Sequence, residues 1–322
     1  MQSYLKTKPI WIQLMLFLGM AFGIFMVLSL IGIGVLSAIT DVSLIEMADP
    51  GKWDNSKPGM ITFIRGMLAI QFFGLFVIPC LLFAYFSDPQ PMQYLGLRSP
   101  SNSVYWIIAI VALLLAIPLV ELTGILNKQI HFGESTQKWM QNMEDEAAKT
   151  IQFMLNKHTT GELLANIIFI ALFAGVGEEL FFRGVLQRLF IKGLKNPWAG
   201  IILAAFLFSF FHLQFFGFFP RFLLGILLGA IYWYSGSLLA AMLAHFIYDA
   251  FFIILIFYQP HLLENTDATI FNGTTAVAMA VLSAVLLVLI VWWMSKKSTV
   301  TYEKVYANDS DEPPVQNFTF DE

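Results

Sequence analysis

Three short stretches of the chain carry side chains that could do chemistry. They are Glu178, Glu179 and Arg183 in VGEELFFRG, His212 in FSFFH, and His245 with Asp249 in HFIYD. All of them interrupt long apolar runs. An ionisable group in hydrocarbon is costly unless it is paired or hydrated, so by default it marks function. Carboxylates beside imidazoles suit three kinds of work: general acid–base attack by water, metal binding and proton relay.

Spacing separates their roles. Glu179 and Arg183 stand at i and i+4 with the acid first, the favoured ion-pair order on a helix. Glu178 is rotated about 100° away and left without that counter-ion, so it is the carboxylate free to act as a base toward water. Phe208 and His212 repeat the i, i+4 spacing, which lets the phenyl ring pack on the imidazole and fix its direction. His245 and Asp249 repeat it again, so the acid can hold or charge the imidazole. Gly225 and Gly229 form a GxxxG whose expected role is close helix packing.

A blander reading exists for each residue. One buried polar group is most simply part of a network that locks helices together. Six groups on three helices favour catalysis or ion handling. Arg65 and Glu121 sit singly near helix ends, where structural pairing or snorkelling suffices. Arg221 opens a helix and is expected to touch lipid headgroups. Cys80, the single cysteine, lies in an apolar run and reads as an inert buried thiol. His131, His158 and His261 fall in predicted loops.

The elements that must position these groups follow from composition. The 322 residues are 58% hydrophobic and 12% charged, with mean hydropathy +0.71. This is an all-α polytopic membrane protein by expectation. A net charge of -4 is too small and too dispersed to suggest a nucleic-acid partner, so none is expected, and one cysteine excludes an internal disulfide. Eight spanning helices are predicted at 10–39, 60–87, 104–126, 163–190, 197–213, 219–234, 237–257 and 274–294, of which the fifth and sixth are short. The first is too long for a cleaved signal peptide. Turn-forming stretches such as SDPQP at 87–91 and SGS at 235–237 separate them.

With eight spans, the Lys/Arg-rich segments around Lys6, Lys8, Arg188, Lys192, Lys195, Lys296, Lys297 and Lys304 share one side. The loop at 41–59, with Asp41, Glu46, Asp49 and Asp54 against Lys52 and Lys57, and the loop at 258–273 fall on the other. Both termini are therefore expected in the cytoplasm. Counting about 1.5 Å per residue from that side puts Glu178 roughly 15 Å deep, His245 roughly 12 Å, Asp249 roughly 18 Å and His212 roughly 22 Å. In a core about 30 Å thick these depths lie in or near the middle third.

Between 127 and 162, Trp139, Met143, Ala147, Ile151 and Met154/Leu155 recur at helical spacing, which predicts an amphipathic surface helix capping the bundle. Thr159 and Glu162 predict a capping box. The tail containing NDSDEPP is expected to be disordered. The chain thus divides into N-terminal helices with the surface helix (1–160), a core carrying the ionisable cluster (161–258), and a last span with an acidic tail (259–322).

EELFFR (178–183), FSFFH (208–212) and HFIYD (245–249) resemble, in order and spacing, the EExxxR, FxxxH and HxxxN/D motifs of the CPBP family. These are type II CAAX prenyl endopeptidases and bacteriocin-processing, or Abi, proteins among the glutamate intramembrane proteases. The resemblance covers 161–258, and YLGLR at 94–98 is similar to a segment often found upstream. It implies hydrolysis of a peptide bond in a membrane-associated peptide or protein, within the lipid bilayer, the expected setting being a bacterial cytoplasmic membrane. Glu178 with His212 would activate water, Glu179 and Arg183 would shape and neutralise the site, and His245 with Asp249 would stabilise the oxyanion.

Position 249 departs from the prenyl endopeptidases, which typically carry Asn. A carboxylate donates no hydrogen bond unless protonated, so Asp249 would instead orient His245. It would equally improve a metal site, since Glu178, His212, His245 and Asp249 are an acceptable Zn²⁺ set. No HExxH is present, and metal-free water activation without a cofactor is the preferred reading. A membrane scaffold or chaperone and a proton-coupled transporter are the competing classes; missing repeat symmetry weighs against the transporter.

Overall fold

The computed structural model describes residues 4–47, 53, 57–264 and 273–306, and among them every regular element is helical. The principal helices are α1 (Ile10–Thr40), α2 (Pro58–Ser87), α3 (Val104–Lys128), α4 (Glu134–Leu155), α5 (Thr160–Leu194), α6 (Pro197–Phe210), α7 (Phe218–Ser235), α8 (Leu238–Tyr258) and α9 (Gly273–Lys297). Asp49, Lys52, Asp54, residues 265–272 and the acidic tail from 307 onward lie outside the described residues.

Among the described residues, seven helices are long and apolar enough to cross a membrane: α1, α2, α3, α5, α7, α8 and α9. α1 shows why lipid is their solvent. Only Gln13, Phe17 and Ala21 of its 31 residues are buried, while Trp11, Leu30, Ile31 and Ile39 stay at least 60% exposed. Water would not tolerate so continuous an apolar surface on a monomer. The chain is an integral, multi-pass membrane protein.

The expected fifth span is shorter than predicted. α6 has 14 residues, about 21 Å of helix, and ends at Phe210 rather than 213. Leu213 takes a left-handed φ of 54°, and the chain doubles back through Gln214–Gly217 into α7. Seven long helices and one short one still return the chain to its starting side. Lys192 donates to the Lys6 carbonyl (3.5 Å), and the Tyr302 hydroxyl donates to the Lys192 carbonyl (3.3 Å). The first and last described segments therefore meet at one end of the bundle.

Irregular backbone near membrane depth survives only where protein satisfies its polar groups. Here four side chains do so. Asn127 donates to the Phe215 carbonyl and accepts from the Phe219 amide, both at 2.8 Å. Ser209 donates to the Phe218 carbonyl (2.6 Å), Glu144 accepts from the Phe216 amide (2.9 Å), and Arg221 donates to the Gln214 carbonyl. In α3, Pro118 removes an amide hydrogen and the helix breaks at Ala116. Ser283 of α9 donates to the Leu115 carbonyl at that break (2.5 Å).

α4 is the predicted amphipathic helix, though its inner face differs. Met140, Phe153, Met154 and Leu155 are buried, whereas Trp139 and Ile151 are 47% and 38% exposed. Their exposure suits an interfacial helix with apolar side chains turned to lipid. The capping box is half formed: Thr159 accepts from the Glu162 amide (3.3 Å), but the Glu162 carboxylate is engaged elsewhere. It pairs with Arg65 of α2, which also donates to Asn166 (3.1 Å), so Arg65 is a structural pairing.

That link ties α2 to α5 with both side chains mostly out of solvent. Arg65→Leu should lower stability by about 1–3 kcal/mol, because it strands the carboxylate. Arg65→Leu with Glu162→Leu should recover part of that loss. Thermal unfolding of the detergent-solubilised protein reads both, and a double variant no more stable than the single one would contradict the pairing.

Candidate functional site

α5 carries the first motif, and its geometry there is not plain α-helix. Residues Glu179–Gln187 form a π-helical stretch, as do Phe72–Val77 of α2 and Ile167–Leu172 earlier in α5. Widened turns of this kind recur at functional sites. All nine residues from Glu179 to Gln187 are buried, so the stretch faces protein all round. Close approach to α8 is possible at Gly175, where an added Cβ would lie 2.8 Å from the Phe246 amide nitrogen.

Glu179 and Arg183 pair as predicted, Arg183 Nη1 donating to Glu179 Oε1 at 2.7 Å with both side chains essentially inaccessible. The same Oε1 also meets His245 Nδ1 at 2.9 Å. This second bond was not anticipated, because spacing along one helix says nothing about partners on another. Arg183 Nη2 donates to the Gly225 carbonyl of α7 (3.1 Å), and Gln187 to the Gly229 carbonyl (3.1 Å). The GxxxG therefore does more than pack: it exposes two carbonyls to polar groups of α5.

His245 is 7% exposed and contacts carboxylates on both sides, with Nε2 3.4 Å from Asp249 Oδ2. A neutral ring has one N–H, so two carboxylates flanking it require one further proton in the group. Phe208 connects the second and third motifs. Its ring meets His212 edge-on at 5.0 Å between centroids and His245 at 6.1 Å, while the Arg183 guanidinium lies 4.4 Å from its centroid.

His212 is positioned by its own helix. Its Nδ1 lies 2.7 Å from the Phe208 carbonyl, which can only accept, so Nδ1 carries the hydrogen and Nε2 of the neutral ring is left as an acceptor. Glu178 is half-buried and makes no hydrogen bond or ion pair with any described residue. It lies in the electrostatic field of His245, Asp249, Glu179 and Arg183. His212 shares the fields of His245 and Arg183.

The structure thus joins Glu179, Arg183, Phe208, His212, His245 and Asp249 through direct contacts and sets Glu178 beside them without a partner. Among the described residues, no three His, Cys, Asp or Glu side chains converge closely enough to share a metal ion. The four-ligand zinc set is not assembled in this arrangement.

One neighbour of the site reads differently from expectation. Arg221 reaches inward rather than to headgroups: Nη1 donates to Gln214 Oε1 (3.1 Å) and Nη2 to the Gln214 carbonyl. Its charge acts on both His212 and Glu178. An arginine just after a turn, followed by an apolar helix, looks the same in sequence whichever way it points.

Residues 160–251 match the model of a family described as type II CAAX prenyl endopeptidase Rce1-like. This agrees with the family that the three motifs resemble, and the matched stretch contains every residue of the cluster. No curated protein and no solved structure matches the chain.

Removing one partner of a buried ion pair leaves the other charge stranded. Glu179→Leu should destabilise the protein by about 3–5 kcal/mol. The combined Glu179→Leu, Arg183→Leu variant should be more stable than Glu179→Leu alone. Denaturation midpoints of the purified variants test this, and a Glu179→Leu protein as stable as wild type would mean Oε1 does not hold the helices together.

Proposed function

We propose that the chain is an intramembrane endopeptidase of the CAAX type, hydrolysing a peptide bond of a membrane-associated substrate with water activated by Glu178 and His212. The observation that carries this reading is the division of the acids. Glu179 is consumed by Arg183 and His245, while Glu178, one residue away, has no described partner.

Chemical roles follow from donor and acceptor capacity. A water held between Glu178 and His212 Nε2 could give a hydrogen bond to each, since both are acceptors, leaving its lone pair toward a substrate carbonyl. Glu178 takes the proton as the oxygen adds to the carbonyl carbon. The C=O electrons move onto oxygen, and the tetrahedral oxyanion needs a donor. His245 is the candidate: Glu179 takes Nδ1–H, and with the group's further proton on the ring Nε2–H is directed outward, toward Asp249 in the resting state. Protonated Glu178 then delivers the proton to the amide nitrogen as the C–N bond breaks, releasing an amine and a carboxylic acid.

Asp249 fits this scheme as the group that holds Nε2–H until substrate arrives. Arg183 over the Phe208 face keeps that one ring in place beside both histidines. The protein is proposed to act with its basic end in the cytoplasm, as the positive-inside rule assigns.

The test is cleavage by full-length protein in proteoliposomes, using membrane-tethered peptides with and without a prenylated C-terminus. Glu178→Gln should reduce cleavage by at least about 100-fold, the usual scale for a lost general base, while leaving insertion and thermal stability near wild type. Unchanged turnover in that variant would refute the assignment. Loss of activity on chelation with recovery on added Zn²⁺ would replace the metal-free scheme by a zinc-dependent one.

A further inference from the structure

On the side of α7 turned away from the polar cluster, a cleft of about 510 Å³ lies between α3, α7 and α9. Its room comes from Ala116, Ala230 and Ala284, one small residue from each helix, where larger side chains would close the gap. We propose that this cleft holds one acyl chain of an anionic phospholipid, whose headgroup rests against Lys296 and Lys297.

The polar part of the lining is confined to one end. Trp198 opens α6, Tyr234 closes α7, and Trp292 and Ser295 fall in the last two turns of α9. The Trp198 and Tyr234 rings meet at 6.3 Å between centroids, and Ser295 already donates to the Trp292 carbonyl (2.7 Å). The deeper lining, such as Leu119, Leu223 and Val288, is hydrocarbon. Tryptophan and tyrosine at one end of an apolar surface mark the level of headgroups. From Ala284 to Ser295 the α9 wall runs about 16 Å, which is one leaflet of a core about 30 Å thick. These dimensions suit a single chain entering from the headgroup layer.

Charge at the mouth selects the headgroup. Lys296 stands one turn beyond Trp292 on the same face of α9, and Lys297 follows it. Both are exposed, and neither makes a hydrogen bond or ion pair among the described residues. Two unanswered cations beside the polar rim favour a negative headgroup.

Shape selects the chain. In lipid no hydrophobic force drives apolar surfaces together, so a flat helix face holds bulk chains with no preference. A cleft differs, because its walls gain their missing dispersion contacts only when it is filled. Val288 and Trp292 are 68% and 58% exposed, so it opens to lipid along α9. A hydrocarbon chain is thin enough to enter there, whereas another helix, about 10 Å across, is not. Gly225 and Gly229, whose carbonyls hold Arg183 and Gln187, occupy the face of α7 opposite Leu223, Leu227 and Tyr234. The inference therefore does not depend on the proposed hydrolysis.

The experiment adds phosphatidylglycerol or phosphatidylcholine with brominated acyl chains to full-length protein in detergent micelles, and reads tryptophan quenching against lipid mole fraction. Trp198 and Trp292 line the cleft, so occupancy is seen as a saturable step above the gradual quenching caused by the micelle. Phosphatidylglycerol should saturate at a mole fraction at least about 10-fold below that of phosphatidylcholine, and salt should narrow the gap. Lys296→Gln with Lys297→Gln should abolish the gap, and Ala284→Phe should remove the step for both lipids. Val281→Phe, on an exposed part of α9 outside the cleft, should change neither. Gradual quenching alone in wild type, a step that survives Ala284→Phe, or a preference that survives loss of both lysines would overturn the proposal. So would a different occupant: a dimer in light scattering that Ala284→Phe makes monomeric, or loss of the step on adding a prenylated peptide but not the same peptide unmodified.

Discussion

One carboxylate oxygen organises the middle of this protein. Glu179 Oε1 accepts from Arg183 and meets His245 Nδ1, and Arg183 extends the connection to the Gly225 carbonyl. Three helices, α5, α7 and α8, are thereby fixed at one point with no access to solvent on the glutamate. In an apolar medium the alternative to this arrangement is an unpaired charge, which is far more costly than in water. Its rigidity therefore comes from the expense of every competing geometry. The helices need not be packed tightly by area for their relative positions to be exact to a hydrogen bond.

Around that point, aromatic packing transmits order to groups that make few polar contacts. Phe208 touches His212, His245 and Arg183. Its own carbonyl sets the His212 tautomer. The second motif thus works as a unit in which one residue supplies a ring and a backbone acceptor, and the residue a turn later supplies the imidazole. Satisfying these groups is what allows Glu178 to stay unsatisfied, because the site's positive charge is already claimed by its neighbour.

Much of this was legible in the sequence. Hydropathy locates the long helices to within a few residues, since hydrocarbon admits few alternatives to an apolar helix of sufficient length. The i, i+4 pairs Glu179–Arg183, Phe208–His212 and His245–Asp249 are all found as contacts, because neighbours one turn apart are a local property of the helix. The rest is non-local. The bond from His245 to Glu179 and the inward turn of Arg221 depend on which helices pack together. The π-helical widening over 179–187 has no composition of its own, and the early end of α6 turns on Leu213 entering a left-handed conformation that a leucine rarely takes. The surface helix shows the same limit: its periodicity was visible, but Trp139 and Ile151 face outward because two different apolar phases, protein and lipid, can both satisfy them.

The shortness of α6 has a consequence for the surrounding lipid. A helix of about 21 Å cannot match a hydrocarbon layer of about 30 Å, and lipids beside it respond by compressing or by letting headgroups sink toward its end. His212 lies just beyond that end, beside the turn whose carbonyls and amides are held by Asn127, Glu144 and Arg221. Local membrane deformation would bring aqueous solvent down to the imidazole along this edge of the bundle. The hydrolysis proposed for this site would need such a supply route, and a truncated helix would offer one without a pore.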